Sequence, residues 1–116
     1  MIFIIDAEKL LRSSPSFETN EREPFKLECT GGAGLFLNLT WKKDDKEIQL
    51  TDRMTLQKTG SILENQQIVL SVGNSTPADS GFYKCIGVPA RPEDGLVIVG
   101  TQVVINSEFY FRKINW

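Results

Sequence analysis

Residues 79–85 read Asp79-Ser80-Gly81-Phe82-Tyr83-Lys84-Cys85. After Gly81 the chain alternates in character, so an extended backbone would turn Tyr83 and Cys85 to one face and Phe82, Lys84 and Ile86 to the other. The same period of two recurs on both sides of this strand. Phe25, Leu27 and Cys29 share a face against Lys26 and Glu28, and Leu37, Leu39 and Trp41 oppose Asn38, Thr40 and Lys42. From Gln67 to Val72 the alternation places Ile68, Leu70 and Val72 inward. Gly31-Gly32-Ala33-Gly34 and Lys43-Asp44-Asp45-Lys46 supply breaks between these runs. A short edge strand is predicted over Glu47–Leu50 and another over Arg53–Lys58, after which Gly60 and Asn65 both fit the next turn. Val88–Gly95 carries two prolines and a glycine and reads as a long loop. Leu96–Ile105 is a final β-branched run in which Gly100 marks a bulge. Only Asp6–Ser13 has helix-forming composition, and it is too short to hold alone. The pattern is all-β.

Composition narrows the function. At 116 residues the chain is the size of one domain. Thirteen Lys plus Arg against fifteen Asp plus Glu give a net charge of −2, without the basic excess of a nucleic-acid binder. Histidine is absent, which removes the commonest general base and metal ligand together. Gly31–Gly34 lacks the Lys-Ser/Thr ending of a phosphate loop, and Asp44-Asp45 lacks the ligand ladder of a calcium loop. No carboxylate pair has a distinctive setting. The expectation is a non-catalytic binding module with no cofactor, no metal and no nucleic-acid partner. No run approaches the ~20 apolar residues that span a bilayer, so no membrane insertion is expected within this segment. The opening Met1-Ile2-Phe3-Ile4-Ile5 lacks the basic region and cleavage signature of a signal peptide. Either the sequence is a portion of a longer chain or the protein stays off the secretory route.

Three inward positions, Cys29, Trp41 and Cys85, lie on three different strands, with the cysteines fifty-six positions apart. Two cysteines in a β protein can simply be free core thiols. Together with the Asp-x-Gly-x-Tyr-x-Cys string at 79–85, however, the set resembles the immunoglobulin superfamily. That resemblance covers roughly residues 15–106. It implies an immunoglobulin-like, two-sheet antiparallel Greek-key sandwich in which Cys29 and Cys85 form a disulfide across the sheets and Trp41 packs on it. By the same resemblance, Tyr83 makes the tyrosine corner, Asp79 caps the preceding turn and pairs with Arg53, and Leu70-Ser71-Val72 belongs to the fifth strand of the family's order. Arg22, where the family often has glycine, and Ser75, where an apolar residue is usual, depart from the pattern. A short C′ strand, after the third strand of the family's order, and an apparent D strand fit the intermediate (I-set) type. Residues 1–14 then form a lead-in to the first strand, 15–106 the domain, and 107–116 an aromatic tail or linker that begins a following domain or folds back.

A sandwich does not specify a function, so the surface must carry it. The outward residues Phe82, Lys84 and Ile86, with Thr40 and Lys42 beside them, form a candidate patch for a protein partner; cover by the long N-terminal segment or by a neighbouring domain is the alternative. Arg91 is the natural anchor of the 88–95 loop, which is otherwise a solvated connection. Asn38-Leu39-Thr40 and Asn74-Ser75-Thr76 are glycosylation acceptor strings, and a glycan on Asn38 would shield the patch. The resemblance therefore suggests an extracellular, glycosylated domain of a receptor or cell-adhesion molecule. Its ligand or receptor would be a protein, a second copy of itself included. The alternative is an intracellular structural domain of the muscle-filament kind, whose cysteines stay reduced.

Overall fold

A computed structural model describes residues 11–107 of the chain. The expectations placed on Met1–Ile5, on Asp6–Leu10 and on the aromatic tail at 109–116 lie outside the described residues. Among the described residues nine strands run β1 (Leu11–Ser13), β2 (Phe17–Asn20), β3 (Phe25–Gly31), β4 (Phe36–Lys43), β5 (Lys46–Glu47), β6 (Met54–Thr59), β7 (Gln66–Val72), β8 (Gly81–Pro89) and β9 (Val97–Asn106). Single turns of 3₁₀ helix lie at Pro77–Asp79 and Pro92–Asp94. One sheet has the order β1-β3-β7-β6 and the other β2-β9-β8-β4-β5. Neighbours run antiparallel except β2 and β9, which are parallel. The first strand region is therefore split: the chain pairs with β3 through Ser13, crosses at Pro15, and joins the opposite sheet from Phe17. Leu11–Ser13, read as helix-forming by composition, is strand.

The two sheets meet through alternate residues. Leu27 and Cys29 of β3, Leu39 and Trp41 of β4, Ile68 and Leu70 of β7, and Tyr83 and Cys85 of β8 are all buried. Cys29 and Cys85 are bonded across this core, with S–S 2.06 Å and Cα atoms 6.4 Å apart. Trp41 stands directly opposite Cys85 in the β4–β8 ladder and sends its indole N–H to the carbonyl of Ile68 at 3.3 Å. That bond satisfies a polar group that would otherwise be stranded in an apolar interior.

Alternation misplaces one stretch of β4. Leu37, expected inward, is 56% exposed, whereas Phe36 is 2% exposed. The β4–β8 register shifts between Phe36 and Asn38, the mark of an extra residue in one strand, and this inverts the parity of everything before it. The buried Phe36 ring lies between two glycines. A Cβ on Gly87 would come within 2.5 Å of it and one on Gly31 within 2.7 Å. Gly100, expected to mark a bulge, does not: β8 and β9 stay in register from Gly81↔Val103 to Gly87↔Val97. Val88 and Pro89, expected in a loop, continue β8. The predicted strand at 47–50 shrinks to Lys46–Glu47, while Gly60 and Asn65 bracket one turn between β6 and β7.

The two departures from the family pattern meet each other. Arg22 has φ 75°, the left-handed region that usually favours glycine. Its N–H donates to the carbonyl of Ser75 at 2.7 Å. Ser75 is buried, and its hydroxyl donates to the Glu23 carbonyl at 2.6 Å. A small hydroxyl residue thus ties the β2–β3 turn to the end of β7.

The Phe36 seat gives a direct test. Gly87→Ala should destabilise the domain by about 1–3 kcal/mol, the usual range for overpacking a tight core. Adding Phe36→Leu should recover part of that loss in urea denaturation, because the methyl then has room.

Candidate protein-binding face

The outer surface of the five-stranded sheet is built by the outward half of β4, β8 and β9. Cross-strand pairing sets out its rows. Thr40 faces Ile86, which faces Ile98; Lys42 faces Lys84, which faces Gly100; and Phe82 faces Gln102. The expected residues Phe82, Lys84, Ile86, Thr40 and Lys42 therefore do share one face. Phe82 is 40% exposed and Ile98 48% exposed. Ile98 escaped sequence reading because its strand was not registered against β8; once Ile86↔Ile98 is known, it completes an apolar row.

Gly100 has a role here. The Phe82 ring lies over it so closely that a Cβ at this position would collide with the ring. A glycine in a strand interior leaves backbone uncovered, and a cross-strand aromatic restores the cover. Lys84 has its ammonium 5.9 Å from the Phe82 ring centre and 2.6 Å from the Asp45 carboxylate. That contact holds the Asp45 carboxyl below its ordinary range, first through the hydrogen bond from Lys84 and then through its charge. Asp45 was not singled out as a site residue; its reach to Lys84 depends on the β4–β5 turn, where Asp44 and Asp45 have φ 49° and 64°.

Other expected residues lie elsewhere. Arg91 sits in the β8–β9 connection, its Nε bonded to Glu93 at 3.0 Å and 3.9 Å from Asp94, so its charge is already partnered. Asn38 is half-buried, and its amide oxygen accepts from Lys58 of β6 at 3.0 Å, which draws it to the edge of the sandwich. Asn74 is exposed at φ 49° in the turn after β7. A further apolar group went unanticipated: Leu35, Leu37, Ile62, Leu63 and Leu96 are all exposed at one end of the sandwich. Main-chain bonds from Gly34 to Ile62 and from Ala90 to Leu35 tie the three loops there together. Among the described residues, no group of three or more His, Cys, Asp or Glu is placed to hold a metal ion, and no helix is long and apolar enough to cross a membrane.

At the opposite end stands the corner expected from the 79–85 string. Tyr83 is buried and its hydroxyl donates to the Asp79 carbonyl at 2.6 Å; burial pushes its phenol above the ordinary range. Arg53 lies 3.2 Å from the Asp79 carboxylate and also reaches the carbonyls of Gly73 and Asn74. The Thr76 N–H donates to the same carboxylate at 2.8 Å.

Residues 15–95 match the family model of the immunoglobulin domain. The chain belongs to that family. Contactin-5 of Gallus gallus is 30% identical to it over 89 residues, which is 69% of this chain and 8% of contactin-5. Among solved structures, the N-terminal eight immunoglobulin domains of Down syndrome cell adhesion molecule superpose with TM-score 0.70 at 18% identity, over 83% of this chain and 12% of theirs. A chimeric titin Z1Z2 structure superposes with TM-score 0.66 at 15% identity, over 85% of this chain and 97% of that one. These likenesses show the fold, which adhesion proteins and titin share. The immunoglobulin domain spans less than a tenth of its contactin relative.

Asp79 makes the corner pH-sensitive. Burial alone would raise its pKa, but the hydrogen bonds from Arg53 and from the Thr76 N–H, with the Arg53 charge, outweigh it and leave the carboxyl below its ordinary range. A carboxyl depressed in the folded state adds stability above its unfolded pKa of ~4 and loses it as pH falls through the folded value. Stability should therefore drop in acid from about pH 4 downward. Asp79→Asn should flatten that part of the profile and lower stability at pH 7, as read from urea midpoints across pH.

Proposed function

We propose that this immunoglobulin domain is an extracellular protein-binding domain of a cell-surface receptor or adhesion molecule. On this reading it is non-catalytic and engages its partner through the outer face of the five-stranded sheet. The observation that carries the reading is the grouping of Phe82, Ile86 and Ile98 around Lys84 and Lys42 on a face with no described element packed over it. Exposed apolar side chains gathered on one sheet face, with cations among them, have the make-up of a binding patch. Arg91, already held by Glu93 and Asp94, belongs to the rim. The cystine in the core supports an oxidising compartment, where such bonds persist. The likeness to contactin-5 points the same way. Asn74, exposed in its turn, is the better placed of the two glycosylation acceptors. A glycan on Asn38 would have to displace the Lys58 contact and would crowd the face.

Two measurements test this. Phe82→Asp should leave the domain folded and weaken partner binding by about tenfold or more, since a charge would replace an apolar anchor. An unfolded product would mean that the ring serves Gly100 more than any partner. Second, protein purified from its native source under non-reducing conditions should show no titratable thiol before denaturation or after it. Two free thiols would instead favour an intracellular structural domain of the muscle-filament kind.

A further inference from the structure

The middle of the outer face contains a pairing that a purely structural sheet would avoid. Lys42 and Lys84 stand directly opposite each other on β4 and β8. Like charges in that position repel and cost stability. Among the described residues, one carboxylate forms an ion pair with either of them: Asp45, 2.6 Å from Lys84, on a side chain that is 75% exposed. Glu47 is the cross-strand neighbour of Lys42 on the other side, yet among the described residues Lys42 is in no ion pair. Along the strands, the Lys42–Lys84 pair lies between Phe82 on one side and the Ile86–Ile98 row on the other.

We infer that the partner of this face is a different protein surface that places a carboxylate between Lys42 and Lys84, with apolar side chains on Phe82 and on Ile86 and Ile98. The inference rests on the reading of this face as the binding surface and adds the chemistry of what binds. Charge complementarity favours an acidic partner over a second copy. A copy seated about a two-fold axis through the centre of the face would set the same lysines against themselves, and a two-fold interface is necessarily self-opposed. Asp45 then acts as an internal stand-in. It neutralises Lys84 while the face is free, and its exposed turn lets it yield when a partner's carboxylate arrives.

The probes are two blocked peptides, one alternating leucine with glutamate and the other leucine with lysine. Each is titrated into the isotope-labelled chain and followed by amide chemical shifts. The expected result is that the glutamate peptide shifts the amides of Phe82, Lys84, Ile86 and Ile98 while the lysine peptide does not. Apparent affinity should fall about tenfold in Lys42→Glu and in Lys84→Glu. It should also fall in about 1 M salt, where charges are screened beyond ~3 Å. Lys26→Glu, the same charge change on the other sheet, should have no effect. If both peptides shift this face alike, the binding surface stands and the acidic partner is overturned. Shifts of the same amides that grow with the concentration of the chain alone would identify a second copy as the occupant and overturn it equally. Should neither peptide move the face, or should shifts cluster at Leu35 and Ile62 instead, the reading of the face itself fails.

Discussion

The Cys29–Cys85 bond is the constraint on which the remaining geometry depends. It joins β3 of one sheet to β8 of the other through the middle of the core. In the chain-entropy view, closing a loop of this length disfavours the unfolded chain by ~4 kcal/mol. Its structural consequence is as large. With the sheet spacing set at the centre, Trp41 can lie beside the sulfurs and still reach the Ile68 carbonyl, and Tyr83, two residues along β8, is carried to the Asp79 corner. The inward half of β8 thereby organises the core, while its outward half, Phe82, Lys84 and Ile86, is presented as a surface. Core and candidate site are two faces of one strand.

How much of this could be read from the residues differs from place to place. The inward faces of β3, β4 and β8 were legible because Cys29, Trp41, Tyr83 and Cys85 fall on regular strands, where a period of two assigns faces without further information; the two-sheet arrangement came from the family resemblance, which did not announce the parallel β2–β9 pair. The corner was legible because Arg53, Asp79 and Tyr83 follow a family string. Alternation failed at Leu37, because a bulge inverts parity and nothing local announces one; the nearest hint is a pair of distant glycines, Gly31 and Gly87, whose missing side chains make room for Phe36. It failed at Gly100 for a related reason. A glycine in a strand can signal either a bulge or an overlying ring, and only the partner strand's register brings Phe82 above it. Of the candidate face, the β4 and β8 contributions were visible, whereas Ile98 and Asp45 depend on register and on a turn conformation that composition does not encode.

The surface divides into two apolar regions of different character. The sheet face mixes aromatic and aliphatic groups with lysines, and its shape is held by a continuous ladder of backbone hydrogen bonds. The loop end sets Leu35, Ile62 and Leu63 beside Glu64 and beside the Arg91, Glu93 and Asp94 cluster, and is shaped by a few loop-to-loop bonds. Charge on the first region can discriminate among partners, because misplaced like charges are penalised. At the loop end Arg91 is already paired with Glu93 and Asp94, which leaves it weaker means of rejecting one.

The crossing at Pro15 has a mechanical corollary. Because β2 and β9 run parallel, with Phe17 beside Val103 and Asn20 beside Asn106, tension applied before β2 and after β9 pulls the two strands in opposite directions along their length. The bonds between them are then loaded together in shear, where an antiparallel hairpin pulled from its open end would peel one bond at a time. A domain held between two anchored neighbours could transmit pull through its own backbone ladder before the cystine behind it took any strain.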